Sequence, residues 1–357
     1  MSAAEADDRA ESIRMIRDSA AAVAPPGGDL KRVRDLRWQD PGYDAGLFRQ
    51  MGEMGWIGLR LPEEMGGAGL GVGEMCALAE ELGRGLVPEP LIPAALSAQV
   101  LAAAGGKGPL PVLLAGEVLV LTAWQERADT LEVPGTSEAS RHFLPMAAGA
   151  DFFLLPVREG GRLALYELPA ARCVPTIERT QDGGTLGTLA PNMAEATKLA
   201  DDVGEALPAA LDEAALVTAA YLLGGMERAF GMTLDYLRQR QQFGKIIGTF
   251  QALQHRAADL KMQVALTRAS IESAAAALDA GATGDARRAA VSRAKARAAE
   301  ASLRVTRECI QLHGGIGYTD EYDVGLYLRK AMVMANQYGS ATLHRRRFMT
   351  VSPEVEA

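Results

Sequence analysis

The sequence predicts an α+β protein of three parts: an N-terminal all-helical domain (1–110), a small central β-barrel or sandwich (111–207) and a C-terminal antiparallel helix bundle (208–357). Two changes in the hydrophobic pattern support this division. After Gly108, short apolar or β-branched segments separated by Gly, Pro and Asp replace the helical pattern. Helical periodicity returns at Leu211 and continues to about Phe348, in segments long enough to pack as a bundle.

Four helices are predicted in the N-terminal domain, over residues 3–23, 44–54, 72–83 and 93–104. Between the second and third, five glycines from Gly66 to Gly73 suggest a phosphate-binding loop. No predicted strand precedes these glycines, however, and no Lys-Ser or Lys-Thr pair follows them. A turn-rich connection between helices is therefore favoured.

Five short strands are predicted in the central domain, over residues 112–114, 117–122, 130–133, 152–157 and 163–168. In the C-terminal domain, an apolar stripe at helical spacing predicts a long first helix through Leu216, Leu223, Met226, Phe230, Leu234 and Leu237. Ala-rich segments at 264–278 and 289–312 predict two further long helices that complete the bundle.

The net charge of −8 and the pI of about 5.3 argue against nucleic acid or an anionic membrane as the main partner. No apolar run of about 18 residues is present, so no membrane span is predicted. Cys76, Cys173 and Cys309 lie far apart and lack the spacing of metal ligands. This pattern is typical of buried, reduced thiols in a cytoplasmic protein, and no metal site is predicted.

Two groups of motifs stand towards the two ends of the chain. The first group is Met-Gly-Trp at 54–56, Pro-Glu-Glu-Met-Gly-Gly at 62–67 and Glu-Glu-Leu-Gly-Arg at 80–84. The second is Arg-Gln-Gln-Phe-Gly at 240–244 and Gln-Leu-His-Gly-Gly-Ile-Gly-Tyr at 311–318. In this order they resemble the helical domains of the acyl-CoA dehydrogenase family. The resemblance covers most of the chain and implies that family's fold, with a β-domain that faces FAD and an acyl-CoA.

The resemblance also implies that Arg240 reaches the pyrophosphate of a FAD shared between subunits. A guanidinium group suits this role because it presents paired donors to phosphate oxygens. A surface Arg that favours a helix C-terminus is the alternative. Phe243 and Gln251 follow in the order of the family and are assigned to the same cofactor site. Gln251 shares a helical face with His255 and Asp259, and His255 could equally be a cofactor contact or a structural residue at a subunit contact.

Gln311, Gly314 and Gly315 resemble the loop that touches the adenosine half of FAD in the family. Glycines at this place permit positive φ and a close approach of the backbone. A Gly-based end of a helix is the structural alternative, and both roles are compatible.

The catalytic positions depart from the family pattern. Its members take the substrate α-proton with a carboxylate, which stands at one of two positions. Tyr338 occupies the first and, with an ordinary pKa of ~10, is a poor base; Ala214 occupies the second. Glu213 is next to Ala214, but a helix step of about 100° directs it elsewhere, and a solvated acid near a helix start is favoured. In the β-domain only Thr122 matches the family's ring-side residues, so whether this chain has its own ring pocket stays open.

We therefore expect a subunit that contributes to FAD-dependent α,β-dehydrogenation of an acyl-CoA as a base-less partner of a homologous subunit. Some bacterial members of the family that act on steroid-derived acyl-CoAs are built in this way, and the resemblance implies an electron-transfer flavoprotein as acceptor. The alternatives are a self-sufficient homotetrameric dehydrogenase, a flavin monooxygenase-like relative and a helical scaffold without flavin.

Overall fold

The computed structural model describes the backbone of residues 3–352 and the side chains of residues 9–352. Contacts within the chain divide it into two compact units. The helical unit comprises the described residues of Met1–Leu30 and Ala215–Ala357 together with Val72–Val87, and the mixed unit comprises Lys31–Gly71 and Pro88–Ala214.

Helices occupy both ends of the chain and strands its middle, which confirms the predicted α+β class. The helices are α1 (Ala3–Ala20), α2 (Lys31–Leu36), α3 (Ala45–Glu53), α4 (Val72–Arg84), α5 (Leu91–Ala103), α6 (Leu110–Leu114), α7 (Ala206–Gln239), α8 (Gln251–Asp279), α9 (Gly284–His313), α10 (Gly315–Tyr318), α11 (Val324–Met334) and α12 (Ala341–Val351). The strands are β1 (Val120–Thr122), β2 (Arg141–Pro145), β3 (Phe152–Glu159), β4 (Arg162–Pro169), β5 (Thr176–Arg179), β6 (Thr185–Leu189), β7 (Thr197–Ala200), β8 (Gln241–Gln242) and β9 (Lys245–Ile246).

The mixed unit contains two small sheets. One has the strand order β1-β3-β4-β7, with β1 parallel to β3 and the other neighbours antiparallel. The other is antiparallel, with the order β2-β6-β5. The strands therefore form two open sheets rather than one closed barrel.

Two of the predicted strands are wrong. Residues 112–114 belong to α6, which has Pro111 in its first turn. A short apolar run does not by itself distinguish a strand from a buried helical turn. Residues 130–133 form a loop, and the Val133 carbonyl oxygen accepts a hydrogen bond from the Arg158 side chain instead of from a neighbouring strand.

The helical unit is built around α7 and the α8–α9 pair. α8 and α9 pack side by side after a short turn, and α11 and α12 pack against α9, which gives the predicted bundle. α4 crosses α7 with the two backbones in contact. A Cβ atom on Gly224 would lie 1.8 Å from the Glu80 carbonyl oxygen, so only glycine fits this crossing.

α7 is the one helix in the described part of the chain that is long and apolar enough, by length and composition, to cross a membrane. Its most apolar window is 78% buried inside the protein, as in a core helix. The three cysteines are free thiols and all are buried, as the sequence predicts.

Candidate active site

The end of α7 and the hairpin after it form an exposed segment of the helical unit. The Arg240 amide donates to the Tyr236 carbonyl oxygen at 2.9 Å, and the Arg240 side chain is exposed. At the two-residue turn between β8 and β9, Phe243 and Gly244 have φ values of 54° and 75°. The Phe243 side chain is nevertheless 90% exposed. A bulky residue at positive φ costs on the order of 1–3 kcal/mol, and such strained residues cluster at functional sites. The hairpin is therefore a candidate binding element.

The end of α9 presents bare backbone. α9 stops at His313, and Gly314 adopts φ 66° and ψ −142°, a region that is essentially restricted to glycine. A Cβ atom at Gly314 or Gly315 would meet nothing within 4 Å. The Gln311 side chain beside them is exposed. This loop can therefore accept a ligand close to its main chain.

The start of α8 adjoins the hairpin. The Phe243 and Phe250 rings lie edge to face with centroids 6.2 Å apart, and Gln251 opens α8 directly after Phe250. Gln251, His255 and Asp259 are all exposed on α8. Among the described residues, no group of three or more His, Cys, Asp or Glu side chains is arranged to hold a metal ion. The two roles considered for His255 both stay open.

A stack of three rings links α7 to the end of α9. The His313 ring contacts the ring of Tyr236 of α7, with centroids 4.6 Å apart, and that of Tyr322, with centroids 4.8 Å apart, and the two tyrosine rings meet edge to face with centroids 6.5 Å apart. His313 Nδ1 is 2.7 Å from the Cys309 carbonyl oxygen, which only accepts, so Nδ1 carries the proton. Sequence reasoning missed this stack because Tyr236 is far from His313 along the chain, and no spacing rule connects them.

In the mixed unit, Thr122 ends β1 and is buried. Its hydroxyl group lies 2.9 Å from the Ser97 hydroxyl group of α5. Nearby, the buried Arg141 directs its guanidinium group at backbone carbonyl oxygens, including that of Ala123 at 3.0 Å. The hydroxyl groups of Thr122 and Ser97 share one hydrogen bond, and the Arg141 guanidinium group is engaged within the protein, so the ring-side role of Thr122 stays a prediction.

Glu213 is also in the mixed unit, and the prediction that it is a solvated acid at a helix start is wrong. The residue is only 8% exposed. It is also not at a helix start, because α7 begins at Ala206, about two turns earlier. Glu213 Oε1 accepts hydrogen bonds from Arg60 Nε at 2.9 Å and from Gln99 Nε2 at 2.8 Å. The carboxylate is thus held in a partly buried ion pair that the sequence did not reveal.

Tyr338 lies in the turn between α11 and α12 of the helical unit. It is buried, and its burial raises the pKa of the phenol above the ordinary value. Two buried side chains hold this turn. Lys295 Nζ donates to the carbonyl oxygens of Ala335 at 2.8 Å and Gly339 at 3.1 Å, and His344 Nε2 lies 2.8 Å from that of Tyr338. Complete burial lowers the pKa of Lys295 to about 7.

Both helical parts of the chain match models of one family. Residues 10–107 match the acyl-CoA dehydrogenase N-terminal domain, and residues 205–350 match the acyl-CoA dehydrogenase C-terminal domain. The acyl-CoA dehydrogenase IpdE2 of Mycolicibacterium smegmatis is 34% identical over 334 residues, which cover 93% of this chain and 94% of that protein. The chain belongs to the acyl-CoA dehydrogenase family. It is accordingly an oxidoreductase of the acyl-CoA dehydrogenase type, as the motifs predict.

Two solved structures extend this family likeness to the whole fold. The ChsE4–ChsE5 complex from Mycobacterium tuberculosis contains a chain that matches with a TM-score of 0.85 and 26% identity, over 97% of this chain and 98% of that one. A variant of the Tcur3481–Tcur3483 steroid acyl-CoA dehydrogenase contains one that matches with a TM-score of 0.83 and 28% identity, over the same shares of the two chains.

The helical unit of this acyl-CoA dehydrogenase-family chain therefore brings most of the predicted cofactor residues together in two connected places. Arg240, Phe243 and Gln251 lie in one continuous segment, and the ring stack ties that segment to the loop at Gln311. The two positions to which the resemblance assigns the family's base hold Tyr338 and Ala214, and neither residue is an acid.

Proposed function

We propose that this chain is a base-less subunit of a heteromeric acyl-CoA dehydrogenase, which works together with a homologous chain that carries the base. The observation that carries the proposal is the turn at 336–340, which consists of Asn, Gln, Tyr, Gly and Ser and holds no acid. Its Tyr338 is buried, and burial raises the pKa of the phenol still further from that of a useful base. Glu213, which is next to the second base position, is bound to Arg60.

The residues present fit the nucleotide end of FAD. Arg240 offers an exposed guanidinium group for the pyrophosphate, and Gly314 and Gly315 offer bare backbone beside the exposed Gln311 for the adenosine half. When bound, FAD accepts the hydride that leaves the β-carbon of the acyl group. The residues of this chain bind and orient the cofactor, and the proton acceptor comes from the partner.

For the ring end of FAD, the side chains near β1 in the mixed unit are less available than the residues at the nucleotide end. The Thr122 hydroxyl group is buried against Ser97, and Arg141 is bound to carbonyl oxygens of its own unit. This difference between the two ends supports a flavin whose ring is held by the homologous chain. The likeness to chains of the ChsE4–ChsE5 complex and of a steroid acyl-CoA dehydrogenase supports a heteromer and a bulky, steroid-derived acyl-CoA as substrate. An electron-transfer flavoprotein is proposed as the electron acceptor.

Purification of the chain alone and together with its encoded homologous neighbour tests the proposal. We expect the chain alone to be colourless and inactive in dye-coupled acyl-CoA oxidation, and the co-purified complex to be yellow and active. Bound flavin with turnover by the chain alone would establish the self-sufficient homotetramer instead. Oxygen-dependent hydroxylation by the flavin-loaded chain would establish a monooxygenase, and a complex without flavin would leave a scaffold.

A further inference from the structure

His313 is a buried imidazole to which the proposed binding site assigns no role. Its side chain is 2% exposed, and Nδ1 donates to the Cys309 carbonyl oxygen. Nε2 is buried as well and meets no hydrogen-bond partner among the described residues. Leaving a buried acceptor unpaired is costly, and a phenylalanine would fill a similar volume without that cost. What the imidazole adds to a plain ring at this position is the Nδ1 hydrogen bond and the capacity to titrate.

The rings around His313 connect the two candidate FAD segments of the helical unit. Tyr236 stacks on His313 and accepts the Arg240 amide through its carbonyl oxygen. Tyr322, which follows α10, contacts the His313 ring at an interplanar angle of 47° and also meets the Tyr236 ring edge to face. The rings of His313 and Tyr322 thus lie at the two ends of the loop that contains Gly314 and Gly315.

α10 itself rests directly on the last turn of α9. A Cβ atom at Gly317 would lie 2.7 Å from the Ile310 carbonyl oxygen and 2.8 Å from His313 Cβ, so glycine is required for this contact. A movement of His313 would therefore displace the loop in two ways: through the contact of Gly317 with the last turn of α9, and through the contact of the Tyr322 ring with His313. The backbone of the loop and the end of α7 depend on the same side chain.

We propose that His313 is a positioning residue: in its neutral form it packs with Tyr236 and Tyr322 in a cluster of three mutually contacting rings, and this ring clamp holds the Arg240 end of α7 and the 314–318 loop in the arrangement that binds the nucleotide end of FAD. This inference rests on the proposed function, and His313 acts through its neighbours without contact to the cofactor. Stacking gives the rings a defined geometry. The hydrogen bond from Nδ1 to the Cys309 carbonyl oxygen sets the orientation of the imidazole.

The surroundings of the stack favour the neutral imidazole. Burial lowers the pKa of His313, and the hydrogen bond to the Cys309 carbonyl oxygen only partly opposes this effect. The other titratable groups in contact with the ring are the phenols of Tyr236 and Tyr322. The charges around Tyr322 are of both signs, from Asp323, Arg228 and Asp235.

The direction of the pH dependence follows from this shift. Because the folded-state pKa of His313 is below the unfolded value of ~6.5, the contribution of the clamp to stability is fully present above about pH 6.5. Its contribution is lost as the pH falls towards the folded-state pKa.

Two substitutions distinguish the effect of the ring itself from the effect of its protonation. His313→Ala removes the ring, whereas His313→Phe keeps a ring that does not titrate. The first measurement is hydrogen–deuterium exchange in the purified chain, expressed as protection factors between pH 7.5 and 5. We expect His313→Ala to lower protection in residues 236–243 and 311–323 together by about tenfold. We expect the wild-type chain to lose protection there on acidification and His313→Phe to keep it.

The second measurement is the dissociation constant of FAD in the assembled complex. We expect His313→Ala to weaken FAD binding by about tenfold at pH 7.5. The control for the exchange measurement is His255→Ala, which removes an exposed histidine and should leave protection in 311–323 unchanged. Equal acid sensitivity of the wild type and His313→Phe would overturn the clamp, even if His313→Ala does not fold. Unchanged FAD binding in a loosened His313→Ala would overturn its role in positioning. Unchanged FAD binding in Arg240→Ala would instead refute the cofactor site on which the inference rests.

Discussion

Of the proposed cofactor residues, Arg240 should have the largest effect on the affinity for FAD. Its guanidinium group is exposed at the end of α7, where it is free to form charged hydrogen bonds with a pyrophosphate. Removing such a bond costs about 1.5–3 kcal/mol, so we expect Arg240→Ala to weaken FAD binding by the assembled complex about 10- to 150-fold. Flavin content after gel filtration and fluorescence titration measures this effect.

The matched control is Arg238→Ala, which removes an exposed arginine two residues earlier. Arg238 is paired with Asp235 at 3.3 Å on the surface of α7, and such a pair contributes little. FAD binding should be unaffected in this control. Equal FAD binding by both variants and the wild type would show that Arg240 is an ordinary surface residue.

Glu213 decides between the base-less subunit and the self-sufficient dehydrogenase. If the carboxylate is a structural partner of Arg60, we expect Glu213→Gln to lower stability by about 1–3 kcal/mol and to leave the turnover of the complex within about twofold. Loss of a catalytic base would instead reduce turnover about 10²–10⁴-fold. Arg60→Met is the control, because it breaks the same ion pair and keeps the carboxylate. A large loss of turnover in Glu213→Gln alone would identify Glu213 as the base.

At the scale of elements, the start of α4 is capped by a side chain from another helix. Asp279, the last residue of α8, accepts hydrogen bonds from the Val72 amide at 2.6 Å and the Gly73 amide at 3.0 Å, and it is also paired with Arg9 of α1. Side chains that cap helix starts are worth about 0.5–2 kcal/mol. This one in addition ties α8 and α1 to α4.

We expect Asp279→Ala to lower the free energy of unfolding by about 1–3 kcal/mol, since it removes the cap and the ion pair together. Denaturant titration followed by circular dichroism measures this change. Asp279→Asn keeps an oxygen that can accept from the amide groups and should lose less. If Asp279→Ala unfolds at the same denaturant concentration as the wild type, the cap contributes nothing to stability.

At the scale of the helical unit, a partly buried network of charges around the buried Glu80 joins four helices. Glu80 of α4 accepts hydrogen bonds from Arg17 of α1 at 2.8 Å and from Arg268 of α8 at 2.5 and 3.0 Å, and Arg268 also binds Glu227 of α7 at 2.8 Å. Burial opposes the ionisation of Glu80, but the hydrogen bonds and charges of Arg268 and Arg17 outweigh it and lower its pKa to about 2. The folded state therefore holds this carboxylate ionised.

The sign of the resulting pH dependence follows from linkage. Because the folded-state pKa of Glu80 is below its ordinary value, its stabilisation is present above about pH 4.5 and is lost as the pH falls towards 2. The shift corresponds to on the order of 3 kcal/mol. We expect Glu80→Gln to be less stable than the wild type at pH 7 and to lose less stability between pH 5 and 3, as measured by urea unfolding. Parallel pH profiles for the two proteins would contradict this account.

The sequence by itself determined the family and the succession of helical and strand regions, and it supplied the motifs around Arg240 and Gln311 on which the proposed cofactor site rests. These depend on local signals, namely hydrophobic periodicity and short ordered motifs, which a chain carries whatever its tertiary contacts. It did not distinguish the strand predicted at 112–114 from the helical turn of α6, since a short apolar run suits either structure once it is buried.

Only the tertiary structure decided which side chains meet across the chain. It paired Glu213 with Arg60, closed the turn at Tyr338 with Lys295 and placed His313 in contact with two tyrosines. Each of these contacts joins residues from different elements, and the pKa shifts of Tyr338, Lys295 and His313 come chiefly from burial. Burial is a property of the packed molecule, so no spacing of residues along the sequence encodes it in a form that can be read locally.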